Sequence, residues 1–208
     1  VIESKNIAFQ YQSDTQFQFP DLTCAAGQPC LVLGPSGSGK STFLQILGGL
    51  RTPGQGTVLI ENQNIFKLSQ KGRDKFRGKH IGIVYQTPHF IRALNLNENL
   101  LMAQKLAGNN TNQLKIDSVL QRLNLDHRKF AKTYELSEGE KQRGNIARAV
   151  INAPKVILAD EPTSALDDDN CSEVLNLLLE RASEADAALI IVTHDQRLKD
   201  QISNSIAL

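Results

Sequence analysis

A short apolar run, Cys30-Leu31-Val32-Leu33, leads directly into Gly34-Pro35-Ser36-Gly37-Ser38-Gly39-Lys40-Ser41, and the next ten residues carry apolar side chains at helical spacing. A G-x-x-x-x-G-K-[ST] pattern between a strand and a helix constrains the fold more than any other stretch of the chain. Its glycines let the backbone turn so that successive N–H groups point inward at phosphate oxygens. The helix that begins there adds the positive end of its dipole. Phe43, Leu44, Ile46, Leu47 and Leu50 form the apolar face of that helix, and Thr52-Pro53-Gly54 ends it. Lys40 is placed to reach the β- and γ-phosphates of a nucleotide and Ser41 to ligate Mg2+. Thr42 joins the phosphate-binding set.

The remaining pattern is that of an α/β chain. Residues 2–11 alternate partially, Gly27-Gln28-Pro29 is a turn, and residues 56–61 and 81–86 read as further strands. The stretch from about 88 to 149 is mainly helical, with Asn-rich interruptions. From Lys155 the order is strand, helix, strand: Val156-Ile157-Leu158-Ala159-Asp160, then 169–182, then 188–193. These strands are apolar without alternation, which predicts a parallel sheet covered on both faces. The first of them delivers two adjacent carboxylates, Asp160 and Glu161, at its C-terminal end, where ligands of open α/β sheets bind. Successive strand residues point to opposite faces, so both carboxylates serve one site only if the chain bends there, and Pro162 supplies a reason to bend. In that reading Asp160 holds Mg2+, directly or through water, and Glu161 polarises the attacking water. An acidic pair opening a loop is the plainer alternative.

Loop and carboxylates together specify a P-loop nucleotide triphosphatase, and four further segments narrow the class. Leu136-Ser137-Glu138-Gly139-Glu140-Lys141-Gln142-Arg143, followed by Ile146-Ala147-Arg148-Ala149, closely resembles the signature segment of ABC ATPases. Gln86 after Ile83-Val84-Tyr85 is similar to the Q-loop of that family. Ser164-Ala165-Leu166-Asp167 resembles its D-loop, and His194 its switch histidine. Each segment has an ordinary reading as well: a helix cap, a polar strand end, a satisfied histidine. Their order and spacing cover the chain from about 11 to 195.

The resemblance implies a RecA-like core with a mainly parallel sheet, a small antiparallel β subdomain, and a helical subdomain over about 87–149, with residues 1–86 and 150–208 forming the rest of a single domain. It implies that two such domains, identical or paralogous, pair head to tail. ATP then lies between the glycine loop of one and the Ser137 hydroxyl and Gly139 N–H of the other. It further implies that Tyr11 stacks on adenine, against the alternative of a half-buried strand tyrosine. Gln86 contacts Mg2+ and relays to a membrane partner, and His194 contacts the γ-phosphate. The order of segments around Gln86 is most similar to exporters of the lipoprotein-release, macrolide-export and cell-division type.

The family's usual signature is Leu-Ser-Gly-Gly-Gln, whereas Glu138 and Glu140 hold its third and fifth positions here. Ser137-x-x-Glu140 fits a capping box, yet two carboxylates then occupy the helix end at which a phosphate should dock. Two outcomes follow: weaker closure on ATP, or glutamates turned toward cationic side chains.

Lys plus Arg at 23 against Asp plus Glu at 22 gives a net charge of +1. With no dense basic run, nucleic acid is not an expected partner. Three cysteines without CxxC spacing point to reduced thiols. The apolar runs are far below the roughly 20 residues that span a bilayer, so the expectation is a cytoplasmic ATPase subunit, peripheral on the inner face of the membrane and bound to integral membrane subunits. A soluble ABC ATPase acting on DNA or ribosomes, and an ATP-gated adaptor with little hydrolysis, are the competing readings.

Overall fold

The structure is a computed structural model that describes residues 1–11, 16–164, 168–199 and 201–208, without the side chains of 168–170 and 196. It is α/β, with one antiparallel and one parallel sheet. The antiparallel sheet centres on β1 (Ile2–Gln10), which pairs with β2 (Gln16–Gln18) and β3 (Leu22–Cys24). The parallel sheet begins with β4 (Cys30–Leu33), and the phosphate-type loop runs from it into α1 (Lys40–Leu47). The chain then returns to the antiparallel sheet as β5 (Gln55–Ile60) and β6 (Gln63–Asn64). Next come α2 (Gln70–His80), β7 (Ile81–Val84), α3 (Leu96–Leu106), α4 (Gln113–Arg122) and α5 (Glu138–Val150). The last elements are β8 (Val156–Asp160), α6 (Asp168–Glu184), β9 (Ala188–Thr193) and β10 (Ser205–Ala207).

The parallel order is β10-β4-β9-β8-β7. This puts the C-terminal ends of β4, β8 and β9 side by side, with Leu33 opposite Thr193 and Asp160 opposite Val192. Residues before the glycine loop, before the carboxylate pair and before His194 thus reach one edge. Alternate residues of each strand enter two cores. Leu31, Ile157, Ala159, Leu189 and Ile191 pack with α3, α4, α5 and α6. Val32, Val156, Leu158, Ile190 and Val192 pack with α1 and the antiparallel sheet. Each of these Val, Leu and Ile side chains contributes about 1.5–3 kcal/mol by leaving water, so strands buried on both faces need no polar alternation.

The helices are held by their own caps. Asn95 and Glu98 form a reciprocal capping box on α3, and Ser69 and Asn112 accept from backbone N–H groups at the starts of α2 and α4. Helix α5 lies so close to β7 that a Cβ at Gly82 would collide with the Ala149 carbonyl oxygen. Inward-facing polar residues of α5 tie it down further. Asn145, fully buried, donates to the Tyr85 carbonyl oxygen at 2.8 Å, and Gln142 donates to that of Pro162 at 2.9 Å. The helix that starts at the Ser137 segment is therefore bonded both to the chain entering Gln86 and to the turn leaving Glu161.

Candidate functional site

The 34–41 loop wraps the start of α1. Gly39 is the N-cap residue, with φ 93°, a left-handed conformation that side chains with a Cβ disfavour. Lys40 is buried and its ammonium donates to the Gly34 and Pro35 carbonyl oxygens at 2.8 and 3.0 Å. The charge is thereby held over the loop rather than released into solvent. Ser41 Oγ donates to Asp160 Oδ1 at 3.1 Å, which joins the start of α1 to the end of β8.

The bend expected after Asp160 occurs at Glu161 itself, whose φ is 46°. That left-handed residue returns the Glu161 side chain to the same edge as Asp160, so strand alternation no longer separates the two. Pro162 follows the bend rather than making it. Glu161 is buried, and its Oε2 accepts from Thr193 Oγ1 at 3.0 Å and from the His194 backbone N–H at 3.3 Å. Its Oε1 lies 2.8 Å from His194 Nδ1 and 3.8 Å from Lys40 Nζ. The His194 ring is 65 % exposed, so it bridges the buried carboxylate and the open side of the site. Burial is the main force raising the Asp160 carboxyl above its ordinary range, with the Glu161 charge adding to it and Ser41 and Lys40 opposing.

One cavity of about 740 Å³ collects Tyr11, Phe17, Pro35, Ser36, Gly37, Gly39, Lys40, Ser41, Thr42, Gln86, Glu161 and His194. Gly34 and Ser38 complete the loop behind it, and Asp160 reaches it through Ser41. Tyr11 donates or accepts at Thr42 Oγ1 over 2.6 Å, and the Arg51 guanidinium lies 5.1 Å from its ring centroid. Gln86 Nε2 donates to Ser164 Oγ at 3.1 Å. Ala165, Leu166 and Asp167 of the expected D-loop lie outside the described residues. Ser137 and Gly139 are absent from the cavity wall: Ser137 caps α5, and Gly139 lies in its first turn.

Three contributors were not anticipated from sequence. Phe17 stands in the cavity wall, edge-on to Tyr11 at 6.0 Å. Thr193 anchors the Glu161 carboxylate and is itself fixed by accepting from the Asp195 N–H at 2.9 Å. Asp195 accepts from Thr163 Oγ1 and from Arg197, and these bonds, the Arg197 one foremost, hold its carboxyl below the usual range. A polar threonine ending the otherwise apolar 188–193 run was the available signal.

A second cavity of about 530 Å³ opens where α2, β7, α3 and α5 meet, with Arg77, Tyr85, His89, Leu106 and Arg148 among its walls. Leu106 is 74 % exposed. Arg148, whose guanidinium donates to the His89 carbonyl and to Asn145 Oδ1, links this groove to the chain on either side of Gln86.

The chain matches the protein family described as ABC transporter over residues 17–164. It is 40 % identical over 190 residues to the lipoprotein-releasing system ATP-binding protein LolD of Legionella pneumophila (strain Lens), covering 90 % of this chain and 84 % of that one. It is 43 % identical over 182 residues to LolD of Psychrobacter arcticus, covering 86 % and 80 %. Among solved structures it resembles the dimeric bacterial ABC transporter cassette MJ0796, with TM-score 0.89, 31 % identity and coverage of 100 % and 94 %. The same cassette in a dimeric post-hydrolysis state bound to ADP and Pi gives TM-score 0.89 at 30 % identity, with the same coverage.

Proposed function

The chain belongs to the ABC transporter family and is an ATP-binding, ATP-hydrolysing transporter subunit, and from that premise we propose the part each residue plays. The observation that carries the reading is the Glu161 carboxylate, held by Thr193 and His194 beside Lys40 on the phosphate-loop cavity. ATP lies with its phosphates on the N–H groups of residues 34–42 and its adenine against Tyr11. Lys40 exchanges its carbonyl partners for the β- and γ-phosphate oxygens, where a positive charge offsets charge spreading over the equatorial oxygens.

Water attacks the γ-phosphorus in line with the bond to the β-bridging oxygen. Glu161 orients that water and takes its proton; the P–O bond breaks, and ADP and inorganic phosphate are released. Thr193 and the His194 N–H fix one carboxylate oxygen, leaving the other facing the cavity. His194 Nδ1, 2.8 Å from that oxygen, holds its orientation, and the other ring nitrogen contacts the γ-phosphate. Two carboxylates in one site are kept useful by different surroundings: Glu161 among donors, Asp160 against Ser41.

The Ser41 hydroxyl, an Asp160 carboxylate oxygen and the Gln86 side-chain carbonyl are hard oxygen donors. They suit Mg2+, which takes few protein ligands beside phosphates and water. When bound, Mg2+ neutralises phosphate charge.

We further propose that Ser137 and Gly139 serve the nucleotide of a second copy, since they lie outside their own cavity while MJ0796 is described as dimeric. The groove at Tyr85, Leu106 and Arg148 is the proposed seat of an integral membrane subunit, and residues 87–149 the subdomain that passes motion to it. Among the described residues no helix is long and apolar enough to cross a membrane. A peripheral position at the inner membrane through that subunit is thus part of the proposal, as is release of lipoproteins, the role named for the LolD relatives. Glu161→Gln tests the core of it: turnover lost with ATP binding intact supports the assignment, and retained turnover contradicts it.

A further inference from the structure

Both carboxylates at the start of α5 are paired with cations. Glu138, 74 % exposed, meets Lys141 Nζ at 2.6 Å. Glu140 is only 16 % exposed, and its Oε2 accepts from the Ser137 N–H at 2.8 Å while Ser137 Oγ accepts from the Glu140 N–H at 3.2 Å. Its Oε1 faces Arg128 Nε at 3.2 Å and His127 Nε2 at 3.6 Å. Arg128 comes from the short 3-10 turn Asp126–Arg128 and is anchored by a bond from Nη2 to the Glu135 carbonyl oxygen. Its Nε is buried and has no aligned hydrogen-bond acceptor, so what it gives Glu140 is charge rather than a directed bond. The Ser137 N–H chiefly, with Arg128 and His127, keeps the Glu140 carboxyl below its usual range.

We propose that Arg128 is a positioning residue for the nucleotide held by a second copy: it cancels the Glu140 charge and fixes that carboxylate on the Ser137 N–H, so the α5 N-terminus can receive a γ-phosphate. The inference rests on the reading of Ser137 given above. With its oxygen accepting from Glu140 N–H, the Ser137 hydroxyl keeps its proton for a phosphate oxygen. The helix N-terminus favours an anion there, but an uncompensated carboxylate one turn away repels it. Like charges juxtaposed at an interface cost several kcal/mol, and salt and solvent reduce this at a partly exposed site. A weakening of about tenfold is what remains, or ~1.4 kcal/mol.

The test is pairing of the full chain driven by Mg2+ and a non-hydrolysable ATP analogue, read by sedimentation, beside analogue binding to the single copy. Arg128→Gln should raise the protein concentration for half-pairing about tenfold without changing single-copy binding. Glu140→Gln in that background should restore pairing to within about twofold, and Arg128→Lys, which keeps the charge, should stay within about threefold of wild type. The Arg128→Gln defect should shrink in 0.5 M salt, as a charge effect must. Unchanged pairing in Arg128→Gln overturns the proposal. So does a defect that neither Glu140→Gln nor salt relieves, which would make Arg128 a brace for the Glu135 carbonyl alone. Ser137→Ala separates the two levels. If it lowers pairing while Arg128→Gln does not, only the Arg128 role falls. If it pairs and turns over like wild type, the reading of Ser137 falls too.

Discussion

Replacing Gly39 by Ala tests whether the phosphate loop depends on a backbone conformation that sequence alone implies. At φ 93° an alanine pays about 1–2 kcal/mol for left-handed geometry. Its Cβ would also stand 2.8 and 2.9 Å from Phe17 ring carbons and 3.2 Å from Phe19 Cε1. Phe17 is half-buried and can yield. Phe19 is stacked on the fully buried Phe43 at 4.8 Å and cannot, so crowding adds about 1–2 kcal/mol. Loss of flexibility in the unfolded chain returns about 0.4–1 kcal/mol. The net is roughly 2–3 kcal/mol, which for a domain of this size lowers Tm by roughly 4–12 °C.

Gly37 is the internal control, because it too has a positive φ, 84°, but nothing lies within 4 Å of its would-be Cβ. Gly37→Ala should therefore cost about 1–2 kcal/mol less than Gly39→Ala, the crowding it is spared. Thermal and denaturant unfolding of both variants, beside titration with a fluorescent ATP analogue, reads the difference. Gly39→Ala should also lose at least about tenfold in nucleotide affinity, because the first N–H groups of α1 move with the cap. Equal unfolding midpoints for the two variants, or unaltered affinity in Gly39→Ala, would refute the reasoning.

Burial pushes the Cys24 thiol up to about 12 and raises Cys30 as well, and all three thiols are free and buried. Folded protein should thus leave Cys24 and Cys30 unmodified by iodoacetamide at pH 8.5 and react at both on unfolding; rapid labelling of the native chain at either would contradict this. Asn145→Ala leaves the Tyr85 carbonyl unpaired beneath α5 and should cost about 1–3 kcal/mol; unfolding within 0.5 kcal/mol of wild type would sink that estimate.

Much of the site was legible because its constraints are local. The glycine spacing of 34–41 dictates backbone direction, and an apolar run ending in Asp160-Glu161 dictates which sheet edge carries the carboxylates. The antiparallel first sheet and the helices of 88–149 also agree with the sequence reading. Helix α2 was not legible: it has no buried residue and carries Lys71, Arg73, Lys75, Arg77 and Lys79, so no apolar period marks it. The bend at Glu161 was foreseen but credited to Pro162, since a left-handed glutamate has no composition signal. The pairing of Glu140 with Arg128 spans twelve positions through an irregular turn, and only folding brings them together. Both glutamates meet cations, Glu140 at Arg128 and Glu138 at Lys141, as the second of the two outcomes expected; the strength of closure on ATP is what the pairing assay reads.

Glu161 as the general base is the central claim, and the turnover of Glu161→Gln measures it most directly. Glutamine keeps the shape and the acceptor for Thr193 but cannot take a proton from water. Steady-state ATP hydrolysis should fall by about 10²–10⁴, the usual contribution of a positioned base, while ATP affinity stays within about threefold of wild type. Hydrolysis within threefold of wild type, with ATP bound equally well, would contradict the account.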